Sequence, residues 1–293
     1  MCDDRTEREL ETHLRRNGLT RREFGATLSA AALVAMLPPV ANAAEVTTSE
    51  VMVSTPDGEA DCFFAHPASG AHAGVIMWPD VKGIRPAFRA MGERLAQSGY
   101  AVLVVNPYYR VVHGEVIKPG ESYGDPAVRE RIGPYRSALS PETCVTDGGA
   151  FIKWLDAHPA VDAGRMIGTA GYCMTGSYVF RLAAAYPERI GAGCSFHGGG
   201  LATDAPDSPH RLVPQIDAGM LVAIAENDDE RDPDAKVLLR EAFADAGKPD
   251  QAEIEVYADT LHGWCPPDGD AYNEAQAEKA WSRMLALFSE RLA

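Results

Sequence analysis

The chain has 293 residues and carries 42 Asp and Glu against 27 Lys and Arg, which gives a formal net charge of −15 at pH 7. So acidic a protein repels phosphate backbones and anionic membranes, and nucleic-acid binding is therefore disfavoured. The cysteines show neither Cys-x-x-Cys spacing nor a neighbouring histidine cluster, and no glycine-rich phosphate loop is present. We therefore expect no metal and no cofactor.

The first 43 residues show the order of features that is typical of an export signal. A twin arginine, Arg21-Arg22, precedes an alanine-rich apolar run that ends in small residues. This order resembles a twin-arginine signal, which implies the twin-arginine export machinery as a partner, cleavage after Ala43 and a periplasmic or secreted product of residues 44–293. Pro38-Pro39 shortens the apolar run, so a transmembrane span and stable membrane insertion are not expected. The alternative is an amphipathic N-terminal helix.

Strand-like and helix-like segments alternate after the signal. Strands are predicted at Glu50–Ser54, Asp61–His66, Ala73–Trp78, Ala101–Asn106, Arg165–Gly171, Gly191–Phe196, Met220–Ala225 and Glu253–Tyr257. Helices are predicted at Pro86–Ser98, Pro141–Ala157, Gly176–Ala185, Pro233–Ala246 and Tyr272–Arg291. The first two strands suggest an antiparallel hairpin that turns at residues 56–58. The later alternation predicts one α/β domain with a doubly wound, mostly parallel sheet.

Residues 107–140 interrupt this alternation. They show no sustained periodicity, and Pro and Gly recur through them. A connection this long in a small domain is usually functional or disordered, and this one begins at the carboxyl end of a predicted strand, where open α/β sheets bind ligands. We predict an excursion of loop and short helix that covers the site.

The sequence GTAGYCMTGSYVF, residues 168–180, places Cys173 where a strand passes into a helix. Such a sharp turn can present a nucleophile, and it requires small flanking residues because the backbone is strained. Gly171 meets this requirement two residues before the cysteine. Two residues after it, Thr175 stands where glycine is expected, and Gly176 follows. Cys173 is therefore either a nucleophile or a buried core residue.

The chain downstream of Cys173 offers partners for a nucleophile in the order acid, then histidine. Asp228 and Asp229 follow the strand MLVAIA, with Asp232 as a third candidate, and His262 follows the last predicted strand. The imidazole would accept the thiol proton, and the carboxylate would orient the imidazole. We predict a triad of Cys173, Asp228 and His262, with Asp229 as the alternative acid.

These motifs resemble the dienelactone hydrolase (carboxymethylenebutenolidase) family of α/β-hydrolase fold. The resemblance extends from about Ser54 to Phe288 and is carried by GYCMTG, SFHGG, NDD and LHG together with WPDVKGIRP and NPYYR. It implies an oxyanion hole formed by the backbone N–H groups of Met174 and Val81. It also implies that Asp80 holds the resting thiol and that Arg110 binds a substrate carboxylate. The second arginine of the family is replaced here by Pro266.

Two further residues are ambiguous from the sequence. His197 either contacts substrate or is a packed, hydrogen-bonded histidine, and Trp264 either lines the pocket or lies in the core. HGGG at residues 197–200 resembles the oxyanion motif of lipases, but it follows the nucleophile instead of preceding it, so we reject that role.

The sequence predicts an exported cysteine hydrolase that cleaves a small-molecule ester or lactone through an acyl-cysteine intermediate. A thiolate is a good leaving group, so enol esters, lactones and thioesters suit it better than amides do. A broad esterase or thioesterase on the same scaffold is the first alternative. The second is a non-catalytic binding or redox-sensing protein in which Cys173 is oxidised.

Overall fold

An eight-stranded sheet forms the centre of the molecule. The computed structural model describes residues 12, 33, 37–118 and 121–293. The strands are β1 (Val46–Thr55), β2 (Gly58–Pro67), β3 (Gly74–Trp78), β4 (Ala101–Val105), β5 (Ile167–Tyr172), β6 (Ile190–Phe196), β7 (Gly219–Ala225) and β8 (Ala252–Tyr257). Their spatial order is β1-β2-β4-β3-β5-β6-β7-β8.

The predicted fold class is confirmed. Strands β3 to β8 pair in parallel, whereas β2 pairs antiparallel with both β1 and β4. All eight predicted strands are present. The largest discrepancy is at β1, which begins at Val46 and not at Glu50, because Val46 pairs with Pro67 across the hairpin. The side chains at residues 47–50 of this edge strand are polar and exposed. The apolar pattern therefore did not indicate that these residues belong to the strand.

Seven α-helices lie in the described part of the chain. They are α1 (Pro86–Gln97), α2 (Pro126–Ser137), α3 (Pro141–Ala157), α4 (Gly176–Ala185), α5 (Glu226–Arg231), α6 (Ala235–Asp245) and α7 (Glu274–Arg291). Helix α2 lies in the excursion that was predicted as loop and short helix, without bounds for the helix, and α5 was not predicted. The former contains Gly133 and Pro134 and buries only Val128 and Ile132, and the latter is six polar residues long, so neither shows an apolar stripe.

Helices cover both faces of the sheet. On one face, α1 and α7 bury Phe88, Met91, Leu95, Trp281, Met284 and Phe288. On the other, α3, α4 and α6 bury Phe151, Leu155, Phe180, Leu182, Leu239 and Phe243. This double covering explains why the central strands are continuous apolar runs. The carboxyl ends of the parallel strands meet at one edge of the sheet, which is where ligands bind in open α/β folds.

The described part of the predicted signal packs against α1. Leu33 is buried with Ala87 and Ala90, and Leu37 is packed against them. The N–H of Ala44 donates to the carbonyl of Gln97 at the end of α1, at 3.0 Å. The twin arginine itself lies outside the described residues. None of the helices in the described part of the chain has both the length and the apolar character that a bilayer span requires.

Candidate active site

Cys173 lies on a strained turn between β5 and α4. Its φ angle is +58°, in the left-handed region that non-glycine residues rarely adopt, and the residue is 3% exposed. A Cβ at Gly171 would lie 2.2 Å from the backbone oxygen of Thr175. Only glycine therefore permits the chain to fold back this tightly, which is the local reason for the glycine two residues before the cysteine.

Thr175, the departure from the expected glycine pattern, forms a structural link. Its buried hydroxyl accepts from the N–H of Tyr172 at 2.9 Å and lies 2.9 and 3.1 Å from the carbonyl oxygens of Trp78 and Pro79. The turn that carries Cys173 is thereby fastened to the end of β3. The close backbone approach for which the pattern expects glycine at position 175 occurs one residue later, at Gly176. A Cβ there would lie 2.5 Å from the Cα of Gly198. The sequence pattern alone did not indicate this role of Thr175.

The structure brings Cys173, His262 and Asp228 together. His262 Nε2 lies 3.0 Å from Cys173 Sγ, and His262 Nδ1 lies 2.6 Å from Asp228 Oδ2. A carboxylate only accepts, so Nδ1–H donates to Asp228 and leaves Nε2 to the sulfur. Asp229, the alternative acid, binds Lys236 Nζ at 2.5 Å instead. Of the two candidate acids, Asp228 is therefore the one that contacts the imidazole.

His262 favours its protonated form although it is buried. Burial alone would lower the pKa of His262, but the neighbouring Cys173 sulfur and the hydrogen bond to Asp228 outweigh it and raise the pKa to about 10. Burial likewise opposes ionisation of Asp228, but the hydrogen bond from His262 keeps the pKa of that carboxyl below its usual range. The favoured state is therefore an imidazolium between a carboxylate and a sulfur that can carry the balancing negative charge.

The loop that carries His262 is fastened to the turn that carries Asp228. The N–H of His262 donates to Asn227 Oδ1 at 2.8 Å, and the N–H of Asp259 donates to Glu226 Oε2 at 3.0 Å. Both partners are neighbours of Asp228 in the sequence. Sequence reasoning treated this polar run only as a source of the acid and missed its two positioning residues, Glu226 and Asn227.

The two predicted oxyanion amides lie beside the nucleophile turn. Met174 is the second residue of the short helical segment Cys173–Thr175, where an N–H has no intrahelical acceptor. The carbonyl of Asp80 accepts from the N–H of Gly83 at 2.9 Å, which closes a turn. In a trans peptide the N–H of Val81 then points away from that turn. The hydroxyl of Tyr108 donates to the carbonyl of Val81 at 2.9 Å and further fixes the segment.

Asp80, which the resemblance assigns to the resting thiol, is bound by another partner. Arg85 donates to both of its carboxylate oxygens, at 2.7 and 2.9 Å, and the N–H of Lys82 donates to Oδ1 at 2.8 Å. Burial alone would raise the pKa of Asp80, but Arg85 and Lys82 reverse the effect and lower it. Asp80 is therefore a carboxylate held by arginine.

Arg110 is likewise engaged by carboxylates of the protein. It donates to both oxygens of Asp147 at 2.7 Å and to Asp57 at 2.6 and 3.0 Å, and it lies over the ring of Tyr109. These contacts tie the start of the excursion to α3 and to the β1–β2 turn. They do not support the predicted role of Arg110 in binding a substrate carboxylate.

His197 and Trp264 are both core residues. His197 has no exposed surface, and its ring centre lies 5.2 Å from that of His262. Burial, assisted by the nearby His262, lowers the pKa of His197 to about 3, so it is neutral at physiological pH. Neither of its ring nitrogens has a hydrogen-bond partner within the described residues. Trp264 is fully buried and stacks on Tyr257, a position that does not support a role as a pocket wall.

The excursion of residues 107–140 packs against Val81 and Met174, the two residues of the predicted oxyanion hole. Its apolar side chains form a small separate core with Val81, made of Tyr108, Val116, Tyr123, Val128 and Ile132, against which Met174 packs. Beside it lies an open cavity of about 490 Å³ that is lined by Gly133, Arg136, Ser137, Leu139, Met174 and Tyr178. A cavity of this size next to the predicted oxyanion site accommodates a small molecule.

The remaining cysteines of the described residues are core residues. Cys62, Cys144, Cys194 and Cys265 are buried and free of disulfides. Burial raises the pKa of all four thiols and so disfavours their thiolate forms. No group of three or more metal-ligating side chains is found in the part of the chain that the structure describes.

The chain is similar in sequence to proteins of one family. The model of the dienelactone hydrolase family matches residues 60–292. A carboxymethylenebutenolidase of Rhodococcus opacus is 25% identical over 234 residues, which cover 78% of this chain and 86% of that protein.

Two solved structures share the fold. A dienelactone hydrolase-type protein from Klebsiella pneumoniae aligns with a TM-score of 0.72 and 23% identity over 84% of this chain and 99% of its own. A metagenomic protein described as a dienelactone hydrolase-like promiscuous phosphotriesterase aligns with a TM-score of 0.67 and 21% identity over 85% and 99%. At these identities the structures are evidence of fold only.

Proposed function

The chain belongs to the dienelactone hydrolase family, and from this premise we propose that it is an exported cysteine hydrolase that cleaves small esters or lactones through an acyl-cysteine intermediate. The observation that carries the proposal is a chain of two contacts. Cys173 Sγ lies 3.0 Å from His262 Nε2, and His262 Nδ1 lies 2.6 Å from Asp228 Oδ2. Cys173 itself lies on a strained turn. A core cysteine needs neither the strain nor an oriented imidazole.

The first half of the reaction acylates the cysteine. Cys173 Sγ forms a bond to the carbonyl carbon, any thiol proton passes to His262 Nε2, and the carbonyl electron pair moves onto oxygen. The N–H groups of Val81 and Met174 stabilise that oxyanion. When the carbonyl re-forms, the bond to the alkoxide or enolate breaks and His262 protonates the leaving oxygen. In a lactone the leaving oxygen remains attached to the acyl chain.

Deacylation uses the same groups in reverse. Water gives a proton to His262 Nε2 as its oxygen attacks the thioester carbonyl, and the second oxyanion occupies the same pair of amides. Collapse of that intermediate releases the carboxylic acid and returns Cys173 to its resting state beside His262. Asp228 accepts the Nδ1–H bond throughout, which holds the ring in the correct orientation.

The substrate class follows from the chemistry and the cavity. A thiolate leaves readily, so the tetrahedral intermediate breaks forward only when the other group leaves at least as well, as in enol esters, lactones and thioesters. The cavity next to Met174 has both apolar lining, from Leu139 and Tyr178, and a cation, Arg136. These features favour a small, partly apolar acyl compound.

Substitution of the nucleophile tests the proposal. Cys173→Ala is expected to abolish hydrolysis of a panel of activated esters, enol lactones and thioesters, whereas Cys194→Ala is expected to retain it. Cys194 is a suitable control because it is also buried and unpaired, on the neighbouring strand β6. A phosphotriester belongs in the panel because the metagenomic protein of the same fold is described as a promiscuous phosphotriesterase. Undiminished hydrolysis by the Cys173→Ala variant would refute an acyl-cysteine mechanism.

A further inference from the structure

Arg85 has an unusual concentration of contacts close to the site. It is 4% exposed and lies immediately before α1, with its guanidinium over the ring of Phe88. Nη1 donates to Asp80 at 2.7 Å and to the carbonyl of Gly83 at 3.1 Å. Nη2 donates to Asp80 at 2.9 Å and to Asp268 at 3.0 Å, and Nε donates to Asp268 at 2.6 Å. All five N–H donors of the guanidinium are therefore engaged.

The two carboxylates belong to different parts of the active site. Asp80 immediately precedes Val81, whose N–H is the second oxyanion donor of the proposed mechanism. Asp268 lies six residues after His262 in the loop between β8 and α7. One guanidinium thus joins the oxyanion turn to the histidine loop through two bidentate ion pairs, the geometry in which arginine is most specific.

The two ion pairs of Arg85 require an arginine at this position. Burial opposes ionisation of Asp80 and Asp268, but Arg85 outweighs it and lowers the pKa of both carboxyls. Lys82 Nζ adds a second positive charge 3.7 Å from Asp268. Lysine at position 85 would preserve the charge, but a single ammonium group cannot reproduce two planar forks in different directions.

We propose that Arg85 is the positioning residue of the oxyanion site: by holding Asp80 and Asp268 together, it sets the Val81 N–H at the distance from Cys173 Sγ that the tetrahedral intermediate requires. The inference rests on the proposed function. Because its donors are fully engaged, Arg85 does not bind substrate. His262 is held separately by Asn227 and Asp228. The effect of Arg85 therefore concerns steps in which negative charge develops on a carbonyl oxygen, and not the nucleophilicity of the sulfur.

Two probes of Cys173 separate these effects. An aryl trifluoromethyl ketone adds reversibly to the thiol: the S–C bond forms, any thiol proton goes to His262, and the former carbonyl oxygen becomes an oxyanion in the hole. Iodoacetamide alkylates the same sulfur with loss of iodide and forms no oxyanion. The variants are Arg85→Lys and, as a milder change that keeps the arginine, Asp268→Asn.

Arg94→Lys is the matched control. Arg94, within α1, is also buried, also forms a bidentate pair, with Glu278, and also lies over an aromatic ring, that of Trp281. These hydrogen bonds go to α7 and not to the oxyanion turn. The Arg94→Lys variant measures how much the loss of a buried bidentate arginine pair affects the stability of the fold in general.

For Arg85→Lys we expect ketone affinity and kcat/KM to fall by the same factor, on the order of 10- to 100-fold. Alkylation of Cys173 should change by less than about twofold, since it requires no oxyanion donor. Asp268→Asn should show the same pattern with a smaller factor, and it decides the question if the lysine variant does not fold. Arg94→Lys should leave both probes unchanged.

Two results would overturn the inference. One is unchanged ketone affinity in a folded Arg85→Lys or Asp268→Asn variant, and the other is an equal loss in ketone binding and alkylation, which would indicate general damage to the site. Failure of the proposed function looks different: the wild-type protein would hydrolyse no ester or lactone, while the two probes would still report on the sulfur and the amides.

Discussion

At Cys173, a strained backbone and a charged neighbour act on the same sulfur. The φ angle is +58°, in the left-handed region, and His262 Nε2 lies 3.0 Å from the sulfur. The other four described cysteines lack such a partner and have thiols whose pKa burial raises. Reactivity therefore differs between residues of one type because their surroundings differ.

The raised pKa of His262 predicts the pH dependence of both alkylation and hydrolysis. Below its pKa of about 10 the imidazolium is present and stabilises a thiolate, and above that pH the proton is lost, together with the acid that protonates the leaving group. Ester hydrolysis should therefore decline as the pH rises through about 10. Alkylation of Cys173 by iodoacetamide at pH 7 should therefore be faster than alkylation of an ordinary thiol.

The control for this pH profile is His262→Ala. Without the imidazolium, alkylation should continue to rise through pH ~8.5, as it does for an ordinary thiol. A wild-type alkylation rate that climbs over the same alkaline range would show that no ion pair forms at the site.

Asp228 and Asp229 provide a matched pair of substitutions. Asp228→Asn should lower kcat by about 10²- to 10⁴-fold, because the amide does not hold the imidazole in the correct tautomer. Asp229→Asn should leave kcat nearly unchanged and lower the free energy of unfolding by less than about 1 kcal/mol, since it breaks only a partly exposed pair with Lys236. The reverse ranking of the two variants in steady-state kinetics would mean that the acid is misassigned.

At the scale of secondary structure elements, the turn between β5 and α4 depends on close backbone approach. Gly171→Ala would place a methyl group 2.2 Å from the Thr175 carbonyl oxygen. Because this oxygen belongs to the backbone, a side-chain rotation cannot relieve the clash. We expect the free energy of unfolding to fall by about 1–3 kcal/mol or more, with a loss of ester hydrolysis. Thermal unfolding monitored by circular dichroism and hydrolysis assays would measure both effects.

Gly133→Ala is the control for that substitution. Gly133 lies in α2, and a Cβ there would meet nothing within 4 Å apart from its chain neighbours and the backbone of its own helix. Alanine should stabilise this helix by roughly 0.5–1 kcal/mol. Equal stability changes in the two variants would contradict the steric account of the turn.

How far the sequence predicts the structure also differs from element to element. Apolar runs such as GVIMW gave β3 and its neighbours correctly, because a strand buried on both faces carries its own signal. Helix α5 carries no such signal, since it consists of ENDDER and is held by contacts with the histidine loop. Elements that depend on distant partners cannot be read from local periodicity.

The same distinction applies to the site. The order of Cys173, Asp228 and His262 along the chain predicted their convergence, because the carboxyl ends of parallel strands share an edge. The partner of Asp80 could not be predicted, since it depends on how Arg85 is oriented between two carboxylates 188 positions apart, from residue 80 to residue 268. Arg110 matched a family motif, but its engagement by Asp57 and Asp147 becomes visible only in three dimensions.

At the scale of the whole molecule, the export proposal predicts a dependence on the arginine pair at residues 21–22. Lys-Lys at these positions keeps the charge but should retain the precursor in the cytoplasm, because a receptor reads the arginines. The chain supplies its own control in Arg15-Arg16, a second pair that is not followed directly by the apolar run.

Cell fractionation and the N-terminal sequence of the exported protein would measure the outcome. We expect Ala44 as the first residue of the mature protein, export of the variant with lysines at positions 15 and 16, and retention of the variant with lysines at positions 21 and 22. Normal export of the latter would exclude the twin-arginine route without affecting the assignment of the hydrolase.

Rapid-quench mass spectrometry can detect the transfer of an acyl group to Cys173, the step on which the proposed mechanism depends. The reduced protein is mixed with excess p-nitrophenyl acetate, quenched with acid during the first turnover and digested for peptide mapping. We expect one acetyl group on the peptide that contains Cys173, formed as fast as p-nitrophenol is released and lost at the rate of steady-state turnover. Turnover with Cys173 unmodified at every quench time, or with the acetyl group on another residue, would contradict it.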